Sequence, residues 1–89
     1  MEKSKKEHTF YVLECKDESY YAGYTNDLEK RVYVHNEGKG AKYTRAKRPV
    51  VCIYSEIYET KIEAMQAEYA FKQLTRKQKI DYMRGEYKR

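Results

Sequence analysis

The chain has no tryptophan, one proline, four glycines and two cysteines in 89 residues. It is also short of aliphatic side chains. Five Val, four Ile and three Leu, with two Phe, make only 14 residues, below the rough one-fifth share that warns of disorder. The longest apolar run, Val50–Tyr54, has five residues, against about 20 needed to span a bilayer. No membrane partner is therefore expected. Cys15 and Cys52 sit in strand-like runs without spaced partners, which suggests neither a zinc site nor a disulfide framework. Residues 1–8 are charged, with no apolar segment behind them, so no secretory signal is expected. A reduced, cytoplasmic protein is the simplest reading.

Eleven tyrosines offset the missing aliphatics. They supply enough apolar bulk for a small core, but a buried phenol hydroxyl needs a hydrogen-bond partner. Tyr20, Tyr33, Tyr54, Tyr58 and Tyr69 are expected to pack.

The net charge is +5, and it is unevenly spread. Residues 38–55 carry Lys39, Lys42, Arg45, Lys47 and Arg48 and no acid. Residues 72–89 carry seven bases against Asp81 and Glu86. Two basic stretches on a balanced body suit a polyanion. Lys39, Lys42, Tyr43, Arg45, Lys47 and Arg48 are the expected nucleic-acid contacts. Gly38 and Gly40 let backbone N–H groups approach phosphate, and Tyr43 can stack on a base. Five phosphate contacts would give a salt slope of roughly −4.5 on duplex DNA.

Runs rich in β-formers predict strands at 10–15, 20–24 and 50–58, the first two forming a hairpin. Asn26 with Glu29 predicts the start of a helix that Gly38 stops. Thr60 with Glu63, and Thr75 with Gln78, predict two more helices. The order is ββαβαα. Domain bounds are expected as a charged, flexible 1–7, a compact 8–84 and a basic tail 85–89. On the second helix Ala64, Ala67, Phe71 and Leu74 form one apolar arc, and Ile62, Met65 and Tyr69 another. Two arcs predict a largely buried helix, with Glu68 in the gap between them facing a cleft. The plainer alternative is a surface Glu68–Lys72 pair at i, i+4.

The spacing of five residues is more specific. Tyr11, in Thr9-Phe10-Tyr11, lies ten before Tyr21, in Tyr21-Ala22-Gly23; Arg31 lies ten further on, His35 four after that, and Glu68 on a later helix. This order resembles the GIY-YIG nuclease family, and most closely its small stand-alone bacterial members of the YhbQ and YazA type. The Gly38–Lys42 segment and the run Lys72–Gln78 add to the likeness, which covers about residues 8–83. Thr9, Phe10 and Ala22 depart from the signature at packing positions. Tyr24 stands where many members carry a lysine.

The resemblance implies an α+β domain, a three-stranded antiparallel sheet flanked by helices. It also implies a metal-dependent endonuclease that hydrolyses DNA phosphodiesters. By position Tyr11 would be the general base, and Tyr21 would assist it or hold the phosphate. Arg31 would bind the phosphate, His35 would relay a proton, and Glu68 would hold one Mg²⁺ or Mn²⁺ ion. A chain this small would take a homodimer or a protein partner for targeting. A DNA- or RNA-binding module with little cleavage, and a protein-interaction domain, are the competing classes.

One structural requirement follows. A two-residue turn at Asp17-Glu18 would place Tyr11 and Tyr21 on opposite faces of the hairpin. A shared site needs an odd-length loop or a bulge between Lys16 and Ser19.

Overall fold

The computed structural model describes residues 7–87. The charged lead-in before Glu7 and the last two residues of the expected tail lie outside that range. Three strands, β1 (His8–Glu14), β2 (Tyr20–Thr25) and β3 (Val51–Tyr58), form one antiparallel sheet in the order β2-β1-β3. Four helices accompany it: α1 (Leu28–Asn36), α2 (Lys42–Arg45), α3 (Lys61–Lys72) and α4 (Arg76–Met83). The predicted order holds, with α2 as one extra turn inside the basic loop.

The central strand β1 is buried from Thr9 through Leu13. Continuous burial means that both faces are covered, because successive side chains point to opposite sides. On one face Phe10, Val12 and Ala22 pack with Phe71 of α3, and Tyr82 of α4 joins them. On the other, Tyr11, Leu13, Cys15 and Val50 form a second cluster with Tyr21, Leu28 and Val32. The aromatic residues thus do the work of missing aliphatics in both layers.

The β1–β2 loop runs from Cys15 to Ser19, five residues, and Cys15 N–H donates to the Ser19 carbonyl at 2.8 Å. Glu18 takes a positive φ of 71° in it. The register pairs Tyr11 with Gly23 and Leu13 with Tyr21. The odd loop therefore puts Tyr11 and Tyr21 on one face, as a shared site requires. In β3 the register slips between Val12 and Leu13, leaving Ile53 without a partner. This bulge lets Cys52 turn in beside Leu13.

Helix α1 starts one residue later than its sequence signals suggest. Asp27, not Asn26, is the N-cap and accepts from the Lys30 N–H at 3.3 Å. Thr25 Oγ1 captures the Asp27 N–H at 3.1 Å and fixes the entry turn. The helix ends as predicted at Gly38, whose φ of 83° closes a Schellman motif. Its bonds run from Gly38 N–H to His35 O at 3.1 Å and from Lys39 N–H to Val34 O at 3.0 Å. Thr60 caps α3 through the Glu63 N–H, and Thr75 and Gln78 cap α4 reciprocally.

The second apolar arc of α3 is not buried. Ile62, Met65 and Tyr69 are 68%, 46% and 67% exposed. One sheet face satisfies only the Ala64–Phe71 side of the helix, and no layer lies outside it among the described residues.

Glu56 ties α4 to the sheet. It lies opposite Phe10, and its carboxylate accepts from the hydroxyls of Tyr54, Tyr58 and, at 2.6 Å, Tyr82. Burial first, then the Glu56 hydrogen bond and charge, pushes the Tyr54 phenol up to about 12 and raises Tyr58 and Tyr82 as well. Glu56→Leu leaves three half-buried hydroxyls without this acceptor. It should cost about 2–3 kcal/mol in urea unfolding at neutral pH. In the unfolded chain these tyrosines ionise near pH 10, before the folded ones do. Their contribution is intact below pH 10 and is lost as pH rises above it. The urea midpoint of the wild-type protein should therefore fall between pH 10 and 12.

Candidate active site

Tyr11 is the organising residue. It sits at the centre of β1 and is 2% exposed. Its ring lies over its partner Gly23, where an added Cβ would stand 2.5 Å from the Tyr11 hydroxyl and 2.7 Å from Cζ. Only the missing side chain lets the phenol cross β2. Its hydroxyl meets His35 Nε2 at 3.2 Å.

His35, near the end of α1, is 1% exposed. Its other ring nitrogen, Nδ1, lies 2.8 Å from Thr44 Oγ1 on α2, and Thr44 is fully buried. Gly40 closes over the imidazole so tightly that a Cβ there would collide with Nδ1 and lie 2.8 Å from Cε1. Burial, helped by the Arg31 charge, lowers the His35 pKa, so the ring is neutral near pH 7. The Tyr11 phenol is raised, by burial first and then by Tyr21, while Arg31 pulls it down and Glu68 pushes it up. In the resting protein Tyr11 is thus a neutral phenol facing a neutral imidazole.

Tyr21 lines the same face. Its ring centroid is 5.3 Å from that of His35 and 6.0 Å from that of Tyr43, with the two tyrosine planes 23° apart. Lys47 Nζ lies 4.0 Å from the Tyr43 centroid. A groove of about 240 Å³ opens here at the edge of β2, lined by Tyr20, Tyr21, Tyr43, Phe71, Lys72 and Lys79. Arg31 is exposed on α1 and lines a separate groove of about 310 Å³ with Thr25, Asn26, Asp27 and Lys30.

Glu68 comes from α3, on the opposite face of the sheet, yet its charge acts on the Tyr11 phenol. Its side chain is 19% exposed, and Oε2 is bound to Lys72 Nζ at 2.7 Å. The Glu68–Lys72 pair at i, i+4 is thus present, and Glu68 lines neither of the two grooves above. No cluster of three His, Cys, Asp or Glu occurs among the described residues. A lone hard-oxygen carboxylate suits a hydrated Mg²⁺ or Mn²⁺ that takes its remaining ligands from water and phosphate. Tyr24 plays no part on this face: its hydroxyl bonds His8 Nδ1 at 2.7 Å.

Of the basic loop, Lys39, Lys42 and Arg45 are exposed, and Tyr43 is 42% exposed. Lys47 and Arg48 already hold the fold. Lys47 pairs with Asp17 at 3.2 Å. Arg48 donates to the Arg45 and Asn36 carbonyls and lies against Gly38. Sequence reasoning missed Thr44, and the roles of Gly23 and Gly40 as close-approach positions. No local signal links Thr44 to a histidine nine residues earlier. Gly23 carried a detectable one, a glycine within a strand.

Gly23→Ala should destabilise the protein by about 1–3 kcal/mol, because Tyr11 is enclosed and cannot yield without strain. Tyr11→Phe removes the nearest atom. In the double variant it should recover part of the loss, a positive coupling readable from urea unfolding of the four proteins.

Comparison with known proteins places the fold in a family. Residues 7–81 match the GIY-YIG catalytic domain. A UPF0213 protein of Bacillus velezensis is 70% identical over 76 residues, 85% of this chain and 77% of the relative. UPF0213 protein YazA of Bacillus subtilis is 66% identical over 76 residues, with the same shares covered. The solution NMR structure of protein EF2693 from E. faecalis is 52% identical and superposes with a TM-score of 0.65, covering 94% of this chain and 90% of that one. A sheet carrying two tyrosines on one face, an arginine and a buried histidine on the helix behind it, and a family match over residues 7–81 lead to one assignment: the chain belongs to the GIY-YIG family.

Proposed function

We propose that the protein is a metal-dependent endonuclease that hydrolyses DNA phosphodiester bonds. One observation carries the reading: a buried tyrosine hydroxyl rests on an imidazole nitrogen at 3.2 Å, on a sheet face that it shares with Tyr21.

The chemistry follows from the side chains. A tyrosine is a poor base at neutral pH because its phenol keeps its proton. Burial opposes a free phenolate, so the Tyr11 proton would pass to His35 Nε2 only as the Tyr11 oxygen receives another, with Arg31 offsetting the charge that develops. With DNA bound, a water brought to the Tyr11 oxygen gives that oxygen its proton as the water oxygen bonds to phosphorus. The scissile P–O bond breaks, the leaving oxygen collects a proton from solvent, and His35 Nε2 gives up the proton it received, which restores the resting pair. Arg31 presents a planar fork to the phosphate oxygens. Tyr21 and Tyr43 offer aromatic surface beside the site, and Lys39, Lys42 and Arg45 offer cations to the backbone. Glu68 would hold the divalent ion, which when bound supplies Lewis-acid polarisation of the phosphate and offsets charge on the leaving oxygen.

No helix of the described residues is long and apolar enough to cross a membrane. The two cysteines are free thiols, which suits a reducing cytoplasmic setting.

A second reading has its own support. Lys72 already neutralises one oxygen of Glu68 at 2.7 Å, as expected of a nucleic-acid-binding module that cuts little. Incubation with single-stranded, duplex, nicked and branched DNA, in Mg²⁺, Mn²⁺ or EDTA, separates the two. The nuclease reading expects metal-dependent cutting that Tyr11→Phe reduces by about 10²–10⁴-fold. Glu68→Ala should abolish cutting with DNA binding retained. Salt-sensitive binding with no cutting in any metal would establish the binding module instead.

A further inference from the structure

The basic loop does more than present cations. Its one fully buried side chain is Thr44, and that side chain meets His35. The Thr44 hydroxyl lies 3.0 Å from the Ala41 carbonyl and 2.8 Å from His35 Nδ1. A carbonyl only accepts, and a threonine hydroxyl carries one hydrogen. If Thr44 donates to Ala41, its oxygen must accept from His35, so Nδ1 carries the ring proton. Nε2 is then a bare lone pair, and the Tyr11 hydroxyl donates to it at 3.2 Å. Every hydrogen in the chain Tyr11–His35–Thr44–Ala41 has an acceptor.

The opposite tautomer fails this count. With Nε2 protonated, Nε2–H would donate to Tyr11 and Thr44 would donate to Nδ1. The Tyr11 hydrogen would then have no acceptor among the described residues. Its hydroxyl is enclosed by His35 and Gly23, so the hydrogen would be buried unpaired, which native structures avoid. Gly40 serves the same arrangement, since any side chain there would drive the loop off the imidazole.

We infer that Thr44 is a positioning residue that locks His35 in its Nδ1–H tautomer and so makes Nε2 the proton acceptor for Tyr11. The catalytic consequence rests on the nuclease reading; the tautomer does not. When Tyr11 gives up its proton, the O–H bond breaks and an Nε2–H bond forms. The resulting imidazolium keeps its Nδ1–H on Thr44. No other atom changes partner, and Thr44, fully buried, keeps both of its own.

The test has two independent readouts. The first is the ¹⁵N spectrum of the histidine ring nitrogens in the folded protein at neutral pH, which distinguishes the tautomers without any substrate. Wild type and Thr44→Ser should show a single Nδ1–H form of His35. Thr44→Val, which keeps the shape and removes the acceptor, should lose it. The second is DNA cleavage in Mg²⁺ or Mn²⁺. Thr44→Val should slow turnover by about 10–100-fold, the cost typical of removing the partner that orients a metal-ligating histidine, with DNA affinity unchanged. Thr44→Ser should cut at or near the wild-type rate. A wild-type His35 found in the Nε2–H form overturns the assignment, even if Thr44→Val does not fold. So does a Thr44→Val protein that keeps the single Nδ1–H form. If the wild type shows Nδ1–H but cuts no DNA, the nuclease reading falls while the Thr44 assignment stands.

Discussion

The constraint on which the structure turns is the hydroxyl of Tyr11. It lies in the middle strand of a three-stranded sheet, where almost no water reaches it. A phenol in that position must find an acceptor. The acceptor is His35, and placing it there sets much of the surrounding architecture. Helix α1 must end beside β1, Gly23 must lack a side chain so that the phenol can cross β2, and Gly40 must let the loop close on the ring. Thr44 completes the chain by supplying a partner for the second ring nitrogen. A polar string of this kind is costly if any link is left open and stiff when all are closed.

The sheet separates two tasks. The face carrying Phe10 and Val12 receives α3 and α4 and is stabilised by aromatic packing and by Glu56, where one carboxylate satisfies three tyrosines. The face carrying Tyr11 and Leu13 receives α1 and the short α2, and holds the candidate chemistry. Tyrosine therefore has two distinct uses here. Tyr54, Tyr58 and Tyr82 are bulk with a hydroxyl that must be satisfied. Tyr11 and Tyr21 lie where the hydroxyl or ring faces charge. Glu68 is the exception to the separation, because it belongs to the packing layer and yet acts on Tyr11.

The basic loop is similarly divided. Lys47 and Arg48 are engaged with Asp17, Tyr43 and backbone carbonyls, so part of the positive charge that marks this segment serves to fold it. Lys39, Lys42 and Arg45 remain exposed. A cation with an intramolecular partner gives up that partner before it meets a phosphate, so these five cations are not equivalent contacts. Lys72 and Lys79, far along the chain, line the groove beside Tyr21 and Tyr43 and extend the basic surface across the edge of β2.

Much of this was legible from residue order alone. The ββαβαα succession, the Gly38 stop and the Thr75–Gln78 cap all depend on neighbours in sequence, where local hydrogen bonds and side-chain periodicity decide the outcome. The need for an odd β1–β2 loop could also be deduced, because strand geometry alternates faces with a period of two. Other features depended on contacts between distant residues. Nothing local indicated that Ile62, Met65 and Tyr69 would face solvent, since periodicity reports an apolar arc but not whether a second layer exists to cover it. Nothing local paired Glu56 with Tyr82, or Thr44 with His35. Composition and spacing determined which residues this protein has available for chemistry. Only tertiary packing decided which of them are buried, and burial is what makes a hydroxyl's choice of partner matter.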